Sequence, residues 1–359
     1  MTKQSISSEE HVAAIVLGLG GRMRNATEGN CLCPAHDDHD PSLSVRVGYK
    51  GVILKCRVGC DQREIIAALR QRGLWHDNVR PPSREEVERR QAKQAEEAKQ
   101  KAEKAQSIWE RSRPIRGTPA EEYLRSRGID YPLPPNLRFH PALDRPGFRD
   151  KHNPSWPGMV ALVSGGKSFA IHRTYLERSP WIGWRKASDG DPRASLGAIT
   201  GGVVRLTADK LDVPLVIAEG IETALSVGSV IGAPMTIWAA INAENLRQVV
   251  LPEAAGRRLI VAADNDRKLV AETGEYKNVG RDAAQKLADR AREEGWDARV
   301  IMPDTPRTDY NDVLMQRRRD LAAMREAAPV GSGDHKGRDQ IHGETTGEPA
   351  GAEEDKART

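Results

Sequence analysis

The sequence predicts an α/β protein built in series: an N-terminal zinc ribbon, a long helical spacer, a β-rich middle subdomain and a parallel sheet flanked by helices. Three observations carry this. All four cysteines fall between residues 31 and 60. Residues 83–113 are dominated by Ala, Gln, Glu, Lys and Arg. From Leu215 to Met302 short apolar runs alternate with helical stretches, the order expected of a parallel sheet. The corresponding divisions are 1–78, 79–115, 116–211, 212–328, and a polar, acidic, disordered tail at 329–359.

A chain of 359 residues has room for two or three domains. With 38% hydrophobic and 30% charged residues and three Phe, its cores must rest on aliphatic side chains and the seven Trp. No apolar run approaches the roughly 20 residues that span a bilayer, and residues 1–10 lack the apolar stretch of a signal peptide. A cytoplasmic protein with reduced thiols and no membrane partner is expected. The net charge of +4 is uneven: residues 331–359 hold seven acidic and four basic side chains, whereas residues 140–211 carry eleven Lys/Arg against six Asp/Glu. Such an excess reads either as solvated surface or as the footprint of a nucleic-acid site.

In the N-terminal part, Cys31-Leu32-Cys33-Pro34-Ala35-His36 and Cys56-Arg57-Val58-Gly59-Cys60 form two close-set donor pairs about twenty residues apart, the layout of a tetrahedral zinc site. Five donors compete for four positions. Asp61 caps a following helix whose apolar spacing suits packing on the ribbon. The spacer opens after Pro81-Pro82. It offers the i, i+4 pairs Glu85/Arg89, Glu86/Arg90 and Glu97/Lys101 and a thin alanine stripe ending at Ala105, without the large residues of a coiled coil. Strand-like runs follow at 159–163, 169–176 and 202–206. Within them His172 reads equally as a buried hydrogen-bonded histidine or a catalytic one.

In the last part, Leu215–Ala218 ends in Glu219-Gly220, and Leu259–Ala263 ends in Asp264-Asn265-Asp266. Carboxylates at the C-terminal ends of parallel strands lie where ligands bind, and i, i+2 spacing points Asp264 and Asp266 the same way. Hard oxygen donors of this kind suit Mg²⁺ with substrate phosphate. The plainer alternative is turn formation or helix capping. Downstream, Asp309-Tyr310-Asn311-Asp312-Val313-Leu314 offers Asn311 or Asp312 as a helix cap, or Asp312 as support for a metal.

Glu219-Gly220 followed by Asp264-Asn265-Asp266 resembles the Toprim domain of bacterial-type primases, topoisomerases and certain nucleases, over about residues 212–305. Cys33-Pro34-Ala35-His36 with Cys56 and Cys60, and the intervening Pro41-Ser42 strand, resemble the zinc-binding domain of primases. The second pair here has three intervening residues instead of two, and Cys31 is an additional thiol able to substitute. The middle segment and Asp309–Leu314 resemble phage and mobile-element primase-like proteins. The resemblance implies Zn²⁺ on Cys33, His36, Cys56 and Cys60, and catalytic Mg²⁺ or Mn²⁺ held by Glu219, Asp264 and Asp266 with Asp312. It also implies single-stranded DNA template and nucleoside triphosphates as partners. Arg173, Arg185 and Lys186 are the candidate template or nucleotide contacts, and Lys50, Lys55, Arg57 and Arg63 those of the zinc domain. The sequence contains no Gly-x-x-x-x-Gly-Lys-Ser/Thr loop, so any unwinding falls to a separate replicative helicase. Two rival functions stand beside primer synthesis: a metal-dependent nuclease and a non-catalytic DNA-binding accessory protein.

Overall fold

A computed structural model describes residues 5–146, 155–210, 212–253, 257–265, 268–269 and 276–327. Two units divide the chain, Met1–Leu314 and Met315–Thr359. The described part of the second is the remainder of one helix, Tyr310–Ala327. The tail expected at 329–359 lies outside the described residues.

Helix α1 (Ser8–Gly18) begins with a capping box between Ser7 and Glu10 and packs on a four-stranded antiparallel sheet. The strands run in order: β1 (Arg22–Asn25), β2 (Glu28–Cys31), β3 (Leu43–Gly48) and β4 (Gly51–Cys56). Alternation turns Leu43, Val45, Leu54 and Cys56 into a core with Val12, Ile15 and Val16 of α1. Asp61 caps α2 (Gln62–Gln71), which closes this core with Ile65 and Leu69.

The charged helix α3 (Arg84–Arg111) opens on a Ser83/Glu86 capping box. Arg90, expected to pair with Glu86, reaches Glu9 of α1 instead, at 2.7 Å. The C-terminal end of α3 is more than a solvated spacer. Ala105 and Ile108 are buried in a cluster with Val160, Ile171 and Tyr175. A strand-borne apolar face needs cover, and two helix positions one turn apart suffice to dock on it. The sheet they cover is antiparallel, in order β8 (Gly183–Lys186), β7 (Ala170–Ser179), β6 (Trp156–Val163), β5 (Leu137–Leu143), with Arg113–Pro114 at the edge and β9 (Arg193–Leu196) also on β7. Helix α4 (Pro119–Ser126) covers its other face.

The second sheet has the order β10 (Val204–Arg205), β12 (Thr236–Ala239), β11 (Leu215–Ala218), β13 (Arg258–Ala262), β14 (Asp297–Ile301). All neighbours are parallel except β10, which joins antiparallel at the edge. Residues 202–206, read with the middle strands, thus supply this edge, while Val203 still bridges back to Ser164. Strands β11 and β12 are buried at every position, as helices on both faces require. Helix α5 (Ile221–Ile231) lies on one face and α7 (Val279–Glu293) on the other. Between β12 and β13 lies only the short α6 (Ala243–Leu246). At Gly228 of α5 an added Cβ would stand 2.6 Å from the end of the Ile237 side chain of β12, which would have to shift to admit it. Helix α8 (Tyr310–Ala327) follows the last strand. Among the described residues no helix is long and apolar enough to cross a membrane.

Candidate functional site

Chain order in the second sheet decides where a ligand can sit. After β11 the chain crosses through α5 to β12 on one side, then through α6 to β13 on the other. The point where the crossovers diverge, between the C-terminal ends of β11 and β13, is the topological switch point of an α/β sheet. Ala218 and Ala262 are register partners there; Glu219 follows the first directly and Asp264 follows the second after Ala263, both half-buried. Gly220 caps α5 without a side chain, and the hydroxyl of Thr223 in the first turn donates to Asp264 Oδ1 at 3.2 Å. Asn278 caps α7 through Arg281 N–H and donates from Nδ2 to the Asp264 carbonyl at 3.1 Å. A Cβ on Gly280 would lie 3.6 Å from Glu219 Oε2, so the start of α7 sits beside that carboxylate. Opposite, Ile241 holds φ +80° while donating to the Glu219 carbonyl at 2.7 Å. A β-branched residue there is strained, a feature that clusters at ligand sites. Asp266 lies outside the described residues.

Asn265, between the two aspartates, has a structural task. Buried at 1% exposure, it donates from Nδ2 to the carbonyls of Pro303 and Thr305, and its backbone bonds Thr308 and Arg307. This clamp brings the segment before α8 against the switch point. The cap of α8 is Asp309, not Asn311 or Asp312: Asp309 Oδ1 accepts from Asp312 N–H at 2.9 Å, and Asp312 Oδ2 accepts from Asp309 N–H at 3.1 Å. Burial, with the Asp312 charge beside it, pushes the Asp309 carboxyl upward. Asn311 is fully buried and donates to the Arg127 carbonyl and Ser226 hydroxyl, pinning α8 to α4 and α5.

In the N-terminal sheet, the donor atoms of Cys33, His36, Cys56 and Cys60 lie within 4.8 Å of one another. A tetrahedral zinc with sulfur at about 2.3 Å needs donor separations of about 3.8 Å, so the group fits with small adjustment. Cys31 stands apart. Its thiol is directed to the Leu43 carbonyl, and burial pushes it up to about 12. Burial also acts against the Cys56 thiolate. The N–H groups of Cys60, Val58 and Gly59 and the Ser42 hydroxyl outweigh it, lowering Cys56 to about 6, whereas burial raises Cys33 and Cys60. His36 turns Nδ1 to the thiols, 3.1 Å from Cys60 Sγ, and Nε2 to Asp38 at 3.6 Å. Asp38 also accepts from Cys33 N–H at 2.6 Å and from the Ser42 hydroxyl at 2.6 Å. It supports two donors at once, as carboxylates behind zinc-bound histidines do. Its place between the knuckles was the signal available in the sequence.

A family model of the Toprim domain matches residues 214–320. The chain carries a Toprim domain. Immediately before it, residues 99–206 match a domain of unknown function, DUF7146, whose start falls within α3, just ahead of the turns that dock on the middle sheet. No curated protein matches the chain. The solved structures that resemble it include three primases. The primase fragment of the bacteriophage T7 primase-helicase protein has 15% identity over 48% of this chain and 66% of that one, TM-score 0.28. The Aquifex aeolicus primase, with zinc-binding and RNA polymerase domains, has 13% identity over 89% and 84%, TM-score 0.32. The DnaG catalytic core has 13% identity over 64% and 79%, TM-score 0.33.

The Toprim domain meets the middle sheet through a buried polar cluster. Glu222, in the first turn of α5, is 8% exposed and binds the Tyr123 hydroxyl at 2.8 Å and the Lys186 ammonium at 3.0 Å. Burial opposes its charge. The Lys186 ammonium, a backbone N–H and the two side-chain bonds prevail and lower its carboxyl to about 2. His172, beside it, is buried, bonded through Nδ1 to the Ser195 hydroxyl at 3.1 Å, and lowered by burial to about 4. It is therefore the neutral, hydrogen-bonded histidine of the two readings. The expected nucleic-acid contacts fare unequally. Arg173 is 2% exposed and donates to the Asp144 carbonyl. Lys186 is committed to Glu222, and Arg185 is exposed but pairs with Glu177 at 2.7 Å. Lys55 and Arg57 are exposed on and just after β4, with Ile53 on the face away from the core.

Proposed function

We propose that the chain is a primase-like nucleotidyltransferase of a phage, plasmid or integrated element, which builds short primers on single-stranded DNA. The observation that carries this reading is the convergence of Glu219 and Asp264 at the switch point of a Toprim sheet, in a chain that also bears a Cys₃His group. The donor set at the switch point is oxygen, which fits Mg²⁺ or Mn²⁺, and Asp266 and Asp312 are the further ligands proposed for such a cation. Such a cation neutralises charge on the phosphoryl oxygens and leaving pyrophosphate. Glu219 either binds it or takes the proton of the attacking 3′-hydroxyl. The Thr223 hydroxyl and the Asn278 amide hold Asp264 in place for either role. Zinc on Cys33, His36, Cys56 and Cys60 folds the N-terminal sheet, whose outward Lys55 and Arg57 face the template strand.

The test is direct. Protein is incubated with single-stranded DNA, labelled nucleotides and Mg²⁺ or Mn²⁺. New oligonucleotides that vanish in Glu219→Gln establish the proposal. Shortened DNA would show a nuclease, and unchanged DNA bound tightly would show a binding protein.

A further inference from the structure

Among the described residues three non-glycines hold positive φ, and two of these, Ile241 and Arg307, flank the switch point. Ile241, at +80°, donates its N–H to the Glu219 carbonyl. Arg307, at +63°, donates its own to the Asn265 carbonyl at 2.8 Å, while Asn265 N–H donates to the Thr308 carbonyl at 2.9 Å. This two-bond ladder turns the segment before α8 back along the end of β13. It sets Arg307 opposite the residue that separates Asp264 from Asp266. Glycine would take such a left-handed position freely, and a residue with a Cβ takes it at a cost. Packing gives no reason for arginine there. The side chain is exposed, and no carboxylate among the described residues pairs with it.

A strained backbone at the rim of a ligand site points to a task for the side chain it carries. Glu219, Asp264 and Asp309 gather at this rim, and a polyphosphate approaching them needs positive charge beyond that of a divalent cation. The Lys186 ammonium is already taken by Glu222. A guanidinium offers a planar fork that matches two phosphate oxygens. Template phosphates are spread along a strand, whereas the terminal phosphates of a nucleotide concentrate their charge where a metal on Asp264 draws them. We propose that Arg307 binds the β- and γ-phosphates of the incoming nucleoside triphosphate. The inference rests on the primase-like reading and deepens it. It assigns this contact to the loop before α8 and not to the middle sheet, where Arg173 is buried and Arg185 is paired with Glu177.

Arg307→Gly separates a structural role from a binding one, because it removes the guanidinium and eases the backbone at once. Arg307→Lys keeps the charge and loses the fork. With the full chain, Mg²⁺ and oligothymidylate, equilibrium dialysis measures binding of labelled ATP and its competition by AMP. Nucleotide KM in primer synthesis, oligothymidylate affinity and melting temperature are measured beside it. Expected for Arg307→Gly are roughly 10-fold weaker ATP binding and a matching rise in KM. Affinities for AMP and oligothymidylate should hold, and the melting temperature should equal or exceed that of the wild type. Arg307→Lys should fall between the two proteins in ATP binding. Unchanged ATP binding in the glycine variant, a loss shared by AMP or the oligonucleotide, or a lowered melting temperature overturns the assignment while primer synthesis by the wild type stands. Arg307-dependent ATP binding by a wild type that makes no primers overturns primer synthesis and keeps the phosphate contact. A wild type that neither binds ATP nor makes primers overturns both.

Discussion

Glu219→Gln keeps the side chain's shape and removes its charge, so loss of the carboxylate should abolish primer synthesis and leave the melting temperature within a degree or two. Full activity would sink the assignment of the switch point. Thr223→Val is the finer probe. Losing one hydroxyl that donates to Asp264 should lower turnover about 10-fold, with nucleotide KM little changed and stability reduced by about 1 kcal/mol or less. An effect confined to KM would mean Thr223 touches substrate instead. Neither Thr223 nor Asn265 was legible beforehand. The acids stood out because charge interrupts apolar runs. A hydroxyl or amide that bonds a segment forty positions away leaves no periodic trace. Glu222 was hidden for a related reason: a carboxylate in a first helical turn looks like a solvated residue until its partner, Lys186 of another sheet, is known.

Where elements meet, the Tyr123–Glu222–Lys186 contact and the neutral His172 make the fold sensitive to acid. The folded pKa of His172 is about 4 against 6.5 when unfolded, so its contribution is complete above pH 6.5 and is lost as pH falls towards 4. Glu222, lowered from 4.5 to about 2, contributes fully above pH 4.5 and loses that contribution towards 2. Both act in the same direction, so stability should fall in two stages below pH 6.5. Denaturant midpoints across pH would show His172→Gln reducing the first stage, to which burial of His11 and His140 also contributes, and leaving the second. Glu222→Gln should cost towards the lower end of about 3–5 kcal/mol, because Lys186 loses its buried partner but keeps some contact with water. The elements themselves were largely readable, since apolar periodicity marks β11, β13, α5 and α7. What escaped was pairing. Nothing local to Val204–Arg205 says which of two sheets it will edge, and the alanine stripe of α3 does not show that Ala105 and Ile108 dock while the middle turns, residues 91–100, stay exposed.

Four apolar clusters build the described chain, and their membership predicts how it comes apart. One draws only on residues 12–75; the others join α3, the middle sheet and the Toprim sheet. The first is small, its strands are short, and two of the donors in the Cys₃His group, Cys33 and Cys56, are themselves core residues. A core of that size is marginal without a staple, and zinc binding in such modules is folding free energy of the order of 10 kcal/mol. Chelation should therefore unfold residues 5–80 alone. Proteases should then cut within that stretch and spare a fragment beginning near the Ser83 cap, because α3 is anchored by Ala105 and Ile108 at its far end. Cys60→Ser should act likewise, while Cys31→Ser, at a thiol outside the donor group, should leave the metal bound and cost only packing. Metal content, limited proteolysis and thermal melts of the three proteins test this together. A single shared transition on chelation, or equal metal loss in Cys31→Ser, would show that the N-terminal sheet depends on the rest of the chain or that Cys31 is a ligand.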